Sequence, residues 1–291
     1  MRKIKQIEVS EITSYKMVRD LPKLQDKFPD LNMSWGVELY GSPEHGNTTG
    51  IDDTQQIYTL TAIGNTKFSC GGPWLNTAIH LNYGFADMFN KGRNWKQSKI
   101  WEIISDYSPN KAVYNLFTLT DEQIQNFSTK HFYEFLHALA TKNRLIDKNV
   151  NYYLEIQPKV YDLMKKIIAD QKTMGDILAG NPDIKLLENI KGLFVTTEPY
   201  GRITGGHYTT YGAYKYCDIA QNIEPTSWAG GITPENVTDH LRGLSQQIAI
   251  ERIDISTRRG VMTDGKTDLD KVEVLMHNAN EWQKEFNQKI K

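Results

Sequence analysis

Cysteine is scarce in this chain: Cys70 and Cys217 are the only two in 291 residues. They could close at most one disulfide and neither stands in a CxxC pattern, so a disulfide scaffold and a cysteine-based metal knot are excluded as the source of the fold. An excess of charge of one sign is missing as well. Thirty-four Lys and Arg against 35 Asp and Glu leave a formal net charge of -1, which gives no basic field to neutralise a phosphate backbone, and no nucleic-acid partner is expected. No run approaches the roughly 18 apolar residues of a membrane span. The first residues, Met1-Arg2-Lys3-Ile4-Lys5, are charged and carry no apolar signal core, so the expectation is a cytoplasmic protein with no membrane partner. Internal repeats, low-complexity tracts and an interdomain linker are not seen either, which leaves one domain over residues 1–291.

What is present is an ordinary globular composition, 39% hydrophobic and 24% charged. Short β-branched or aromatic runs alternate with longer amphipathic segments, the pattern of βα units around a parallel sheet. The strand candidates are Ile4 to Ile12, Trp35 to Tyr40, Leu75 to Leu81, Ala112 to Leu119, Val150 to Ile156, Leu193 to Thr197, Thr226 to Ala229 and Ile250 to Ser256. Eight such strands close a (β/α)8 TIM barrel, and that α/β fold is the expectation. Between them, Asp121 to Leu139 reads as one helix capped by Thr120, and Tyr161 to Ile168 and Val237 to Leu244 read as shorter ones. A closing helix is expected to start at Thr267/Asp268 and to carry Leu269, Val272, Leu275, Met276 and Ala279 on one face. The connections Gly41 to Asp53, Thr66 to Trp74 and Pro199 to Gly212 are long; in a barrel, long loops after strands usually carry function.

The sharpest local motif is Ser227-Trp228-Ala229-Gly230-Gly231-Ile232-Thr233-Pro234-Glu235-Asn236-Val237. A strand that runs into paired glycines and then into a helix start lets backbone N–H groups approach an anion. The same residues also suit a tight turn with Thr233 as N-cap and Pro234 at the first helical position, with no ligand. The next strand ends in Ser256-Thr257-Arg258-Arg259-Gly260, so two successive barrel mouths offer phosphate donors, where barrel enzymes frequently bind phosphate. Glu38, His80, Asn115 and Glu155 stand near the ends of other strand candidates. Converging carboxylates and histidines of this kind suit a divalent ion in a metal-dependent sugar isomerase or epimerase, although no close-spaced ligand motif is present. The tyrosines Tyr200, Tyr208, Tyr211, Tyr214 and Tyr216 either line a pocket or pack helix on barrel.

From about Leu193 onward the chain resembles phosphoribosylanthranilate isomerase of tryptophan biosynthesis. The residues that carry the resemblance are Ala229 to Val237, Asp254-Ile255-Ser256-Thr257 and Gly265-Lys266-Thr267-Asp268, with Ser42-Pro43 a fainter match earlier in the chain. The resemblance implies an Amadori-type aldose-to-ketose isomerisation of a phosphorylated sugar derivative by general acid and base, with no metal or organic cofactor. It implies Glu198 as the acid, ahead of Gly205-Gly206 beside the ligand; His207, which follows that glycine pair, is a further mouth candidate that also suits the metal reading. With the mouth motifs it places the phosphate on Gly230, Gly231, Ser256 and Thr257, where Arg258 or Arg259 could add a charge-assisted bond. The family's basic cysteine after strand one is replaced here by Glu8-Val9-Ser10-Glu11, so with Ser10 in its place the base passes to Glu8 or Glu11. Glu44 stands where the family's arginine holds the anthranilate carboxylate. A non-catalytic barrel that keeps the phosphate ligand is the competing class. The expected partner is thus a small phosphorylated molecule, and the oligomeric state is open.

Overall fold

The computed structural model describes residues 2–39, 56–63, 75–82, 88–91, 94, 96, 101, 103–104, 107, 109–146, 150–156, 158–179, 186–196, 225–246 and 248–289. Its frame is a closed barrel of eight parallel strands: β1 (Gln6–Val9), β2 (Met33–Leu39), β3 (Asn76–Leu81), β4 (Lys111–Asn115), β5 (Asn151–Ile156), β6 (Ile190–Thr196), β7 (Pro225–Ala229) and β8 (Asp254–Thr257). Each pairs with the next in sequence, and β8 returns to pair with β1 through Gln6 with Asp254 to Val9 with Thr257. This is the (β/α)8 fold expected from the alternation of elements, and each of its strands falls within or across one of the candidates. No described helix is long and apolar enough to cross a membrane.

The boundaries differ where hydrogen bonding overrides pattern. The run from Asp121 to Leu139 is two helices, Asp121–Asn126 and Thr129–Ile146. Thr120 does cap the first, in a reciprocal box with Gln123. Phe127 then turns extended and buries its ring against Phe89 at 5.8 Å, while Ser128 Oγ accepts from His131 N–H and caps the second helix. The strand expected over Ala112 to Leu119 ends at Asn115 in a 3-10 turn, and Ile250–Arg252 is likewise a 3-10 turn before β8. The helix at Tyr161 runs on to Ala179. In the glycine-rich segment Thr233 is not the N-cap. The helix is Val237–Ser245 with Asn236 at the cap position, and the Asn236 amide bridges the turn by accepting from Thr233 N–H and donating to Gly231 O.

The helix Leu269–Lys289 closes the fold as the period predicts, burying Val272, Leu275, Met276, Ala279 and Trp282 along one stripe. Asp268 Oδ1 receives the Asp270 and Lys271 amides at its start.

Every residue of β2 is buried, as a parallel strand covered on both faces must be. Its two faces differ in chemistry. Met33, Trp35, Val37 and Leu39 join the large apolar core between sheet and helices, while Ser34, Gly36 and Glu38 alternate with them toward the barrel axis. The same alternation sends Glu8, His80, Lys111, Asn115, Glu155 and Asp254 inward, and among the described residues a small separate apolar cluster of Val113, Tyr153 and Ala229 sits with them. A barrel interior is ordinarily layered with branched apolar residues; this one is filled with charge.

Candidate functional site

The deepest layer lies near the strand N-termini. Lys111 Nζ meets Asp254 Oδ2 at 2.9 Å, Gln6 Oε1 at 3.1 Å and Glu8 Oε2 at 3.0 Å. The contact to Glu8 has the distance of an ion pair without hydrogen-bond alignment. The Tyr153 ring lies 4.9 Å from the ammonium. Burial alone would drive Lys111 down, but Asp254 and then Glu8 outweigh it and hold the lysine above its ordinary value.

One layer up, Glu8 Oε1 meets His80 Nε2 at 2.5 Å and accepts from Ser256 Oγ at 3.1 Å. Burial pushes the Glu8 carboxyl up, yet Lys111 and then His80 reverse that and bring it to about 2. His80 responds in kind. Burial pulls it down, Glu8 and then the more distant Glu38 and Glu155 outweigh burial, and it rises to about 8. Its Nδ1 stands 3.9 Å from Glu155 Oε2. His80 is therefore held between carboxylates that favour its protonated form. Among the described residues no group of histidine, cysteine and carboxylates converges as a metal site.

The third layer lies at the strand C-termini, the mouth of the barrel. Past β1 the chain bends inward, with Ser10 N–H donating to Thr257 O and Ile12 N–H to Gly36 O. Gly36 makes that bend possible, because a Cβ there would lie 2.8 Å from the Ser10 backbone. Thr267 fixes the segment from outside, its hydroxyl donating to Glu11 O and its amide to Thr13 Oγ1. Glu11 is thereby held with its carboxyl facing Arg258, which donates from Nε to Glu11 Oε2 at 2.6 Å and from Nη1 to Glu38 Oε2 at 3.3 Å. Asn82 Nδ2 donates to the same Glu38 oxygen at 2.8 Å, and Asn115 Nδ2 donates to Asn82 Oδ1 at 2.5 Å. Burial is the main influence on Glu11 and Glu38 adds to it; Arg258 opposes them incompletely, and the carboxyl is raised to about 7.

At the β7 and β8 mouths, Gly230 and Gly231 adopt positive φ of 100° and 65°. Thr257 Oγ1 donates to Ile232 O at 2.6 Å, and Gly260 packs so closely that a Cβ would fall 1.9 Å from the same carbonyl. The double-glycine segment and the hydroxyl-bearing strand end therefore lie in contact. Their side-chain donors are already engaged: Ser256 serves Glu8, Thr257 serves Ile232 and Arg258 serves two carboxyls.

Of the expected site residues, Glu8, Glu11, Ser10, Ser256 and Arg258 converge within the barrel, and Gly230, Gly231 and Thr257 form its β7/β8 rim. Ser10 Oγ donates to Thr257 O at 3.3 Å. Glu198, Gly205, Gly206 and His207 lie outside the described residues, as do Ser42, Pro43, Glu44, both cysteines, the long loops and the tyrosine cluster. Lys111 and Asn82 went unnoticed in the sequence, and Asp254 entered only as part of the β8 motif. Their signal was a polar residue at every second position of an otherwise apolar strand.

No family model and no curated protein matches this chain. Among solved structures, the catalytic domain of a family GH18 chitinase from the fern Peteris ryukyuensis is similar over 96% of this chain and 99% of its own, at 11% identity and a TM-score of 0.54. The tryptophan synthase complex of Pyrococcus furiosus is similar over 97% of each chain at 9% identity and 0.49. A truncated 3-deoxy-D-arabino-heptulosonate 7-phosphate synthase from Thermotoga maritima is similar over 98% of this chain and 88% of its own, at 9% identity and 0.48. At such identities the likeness is one of fold, and chemistry must be argued from the site.

Proposed function

We propose that this barrel isomerises a phosphorylated sugar derivative from aldose to ketose form, in the manner of phosphoribosylanthranilate isomerase, with Glu11 as the base. The observation that carries this reading is Glu11 itself, a carboxyl at the barrel mouth with Oε2 clamped by Arg258 and Oε1 unpaired among the described residues. Burial and Glu38 raise it to about 7, the range in which one group can both take and return a proton near neutrality. Glu8 is unsuited to that work. Held at about 2 by Lys111 and His80, it stays ionised and binds protons weakly.

In the step proposed, an acid protonates the ring oxygen as the C1–O bond breaks, leaving an iminium ion at C1. Glu11 removes the proton from C2, the C–H electron pair becomes the C1=C2 bond, and the iminium pair moves to nitrogen. The enolamine then takes a proton at C1 while the C2 hydroxyl gives up its proton, and the C2=O bond that forms makes the ketose. Glu198, expected as the acid, follows the end of β6 at Thr196 by two positions and lies outside the described residues. Because Arg258 faces carboxyls, the phosphate is assigned to the backbone around Gly230 and Gly231 rather than to that guanidinium.

The test is turnover of phosphoribosylanthranilate and related aminoaldose phosphates by the purified protein and by Glu11→Gln. Loss of roughly 10²- to 10⁴-fold in kcat with KM little changed is the expected outcome for removal of a general base. Turnover by the variant within threefold of the parent removes Glu11 from the role. Binding of phosphate ligands without turnover by the parent favours the non-catalytic class.

A further inference from the structure

The mouth layer contains a directed hydrogen-bond chain whose two ends are open among the described residues. Glu38 Oε2 faces Arg258 Nη1, a group that can only donate, so this oxygen is an acceptor. Asn82 must then present its NH2 to Glu38 and its Oδ1 to Asn115, which in turn must present its own NH2. The direction of the chain is fixed by the guanidinium, and it leaves Asn115 Oδ1 as a free acceptor on β4. At the opposite end, Arg258 Nε occupies Glu11 Oε2 and leaves Glu11 Oε1 free. Both end oxygens are buried without a hydrogen-bond partner among the described residues, and both residues are 2% exposed. A buried acceptor left unmade costs about 1–3 kcal/mol, so two at the ends of one ordered chain call for donors from outside it.

We infer that the mouth of the barrel interior is a polyol site, whose ligand donates hydroxyl hydrogens to Glu11 Oε1 and Asn115 Oδ1. The inference rests on the sugar-phosphate reading above and narrows its substrate class. The carboxyls of Glu11 and Glu38 flank the site, and Arg258 is already spent on both. An aromatic carboxylate placed in this layer would therefore meet like charge. The sugar portion is recognised here, and whatever replaces anthranilate on C1 carries no anion into this layer.

The experiment is calorimetric titration of the full chain with D-ribose 5-phosphate, D-ribose and inorganic phosphate, for the parent and for Asn115→Leu. The leucine keeps the bulk and removes the acceptor together with the donor to Asn82, a loss that the control with inorganic phosphate does not share. The expected result is an affinity for both sugars reduced about tenfold, the worth of one buried hydrogen bond, with inorganic phosphate unchanged. Should Asn115→Leu not fold, Asn115→Thr, which keeps a hydroxyl donor toward Asn82 but withdraws the amide oxygen, is expected to weaken sugar binding in the same way. Parent protein that binds ribose but not inorganic phosphate leaves the polyol site standing and sinks the phosphate assignment. Parent protein that binds neither sugar, or a variant that binds both as tightly as the parent, overturns the inference.

Discussion

Stability of this protein should peak on the acid side of neutrality, and Glu11 is the reason. Its carboxyl is raised from 4.5 to about 7 in the folded state, first by burial and then by Glu38. A raised carboxyl favours the protonated fold, so its contribution is fully present below about 4.5 and is lost as pH rises through 7. At about 1.4 kcal/mol for each tenfold difference, the loss across that window is about 3 kcal/mol. His80 acts in the same direction somewhat later. Raised from 6.5 to about 8 once Glu8 overcomes burial, it stabilises fully below 6.5, and about 2 kcal/mol disappears as pH rises through 8. Glu8 acts oppositely. Lowered from 4.5 to about 2 because Lys111 and His80 outweigh burial, it stabilises above 4.5 and fails as pH falls through 2. The optimum therefore falls near pH 5, above the Glu8 window and below most of the other two. Glu11→Gln removes the first decline alone, because the amide can keep accepting from Arg258 and does not titrate. Urea unfolding from pH 5 to 7.5 should show the parent losing about 2 kcal/mol relative to the variant. A difference between the two that stays constant across this range within about 0.5 kcal/mol would refute the burial and charge argument for Glu11.

Lys111→Met leaves Asp254 and Glu8 facing each other without their shared cation, and should cost about 3–5 kcal/mol in urea unfolding; a loss under about 1 kcal/mol would mean that the lower layer is hydrated. Gly36→Ala places a methyl 2.8 Å from the Ser10 backbone, which must move, so a stability loss of about 1–3 kcal/mol and weaker sugar binding through a displaced Glu11 are expected together. Unchanged binding with lowered stability would separate the bend from the site. Gly260→Ala drives a Cβ into Ile232 O and should abolish inorganic-phosphate binding by spreading the β7 and β8 loops, with retained binding by the folded variant counting against a shared anion site.

The eight strands were legible because their outward faces are near-continuous Val, Ile, Leu and aromatic residues, and the sheet closes in sequence order with no strand out of turn. Helix ends were less so. Nothing in the periodicity of Asp121 to Leu139 announces the break at Phe127, which depends on a distant ring, Phe89, and on the freedom of Ser128 to cap. The site was half legible. Glu8 and Glu11 were recognisable as strand-one carboxyls, but their opposite characters were not, since those come from Lys111 and His80 on β4 and β3 and from Arg258 beyond β8. Sequence spacing carries no information about which cation meets which carboxylate across a closed barrel. Arg258 shows the consequence: read along the chain it is a candidate for the phosphate, and its contacts with Glu11 and Glu38 come from strands far away in sequence.

The stacked layers give one interior two tasks. Buried ion pairs are weak contributors to stability when set against apolar packing of equal volume, so Asp254, Lys111, Glu8 and His80 are not explained by stability alone. Their order along the axis has an electrostatic consequence. Lys111 holds Glu8 as an anion, that anion favours the protonated form of His80, and Glu38 and Glu155 add to the same effect from further off. The positive charge under the mouth limits how far burial and Glu38 can raise Glu11, since His80 is among the groups that lower it. Replacement of His80 by Asn would remove that restraint together with the partner of Glu8. The carboxyl at the mouth should then titrate higher, and a pH–rate profile governed by Glu11 should move to higher pH while the profile of Glu11→Gln stays where it is.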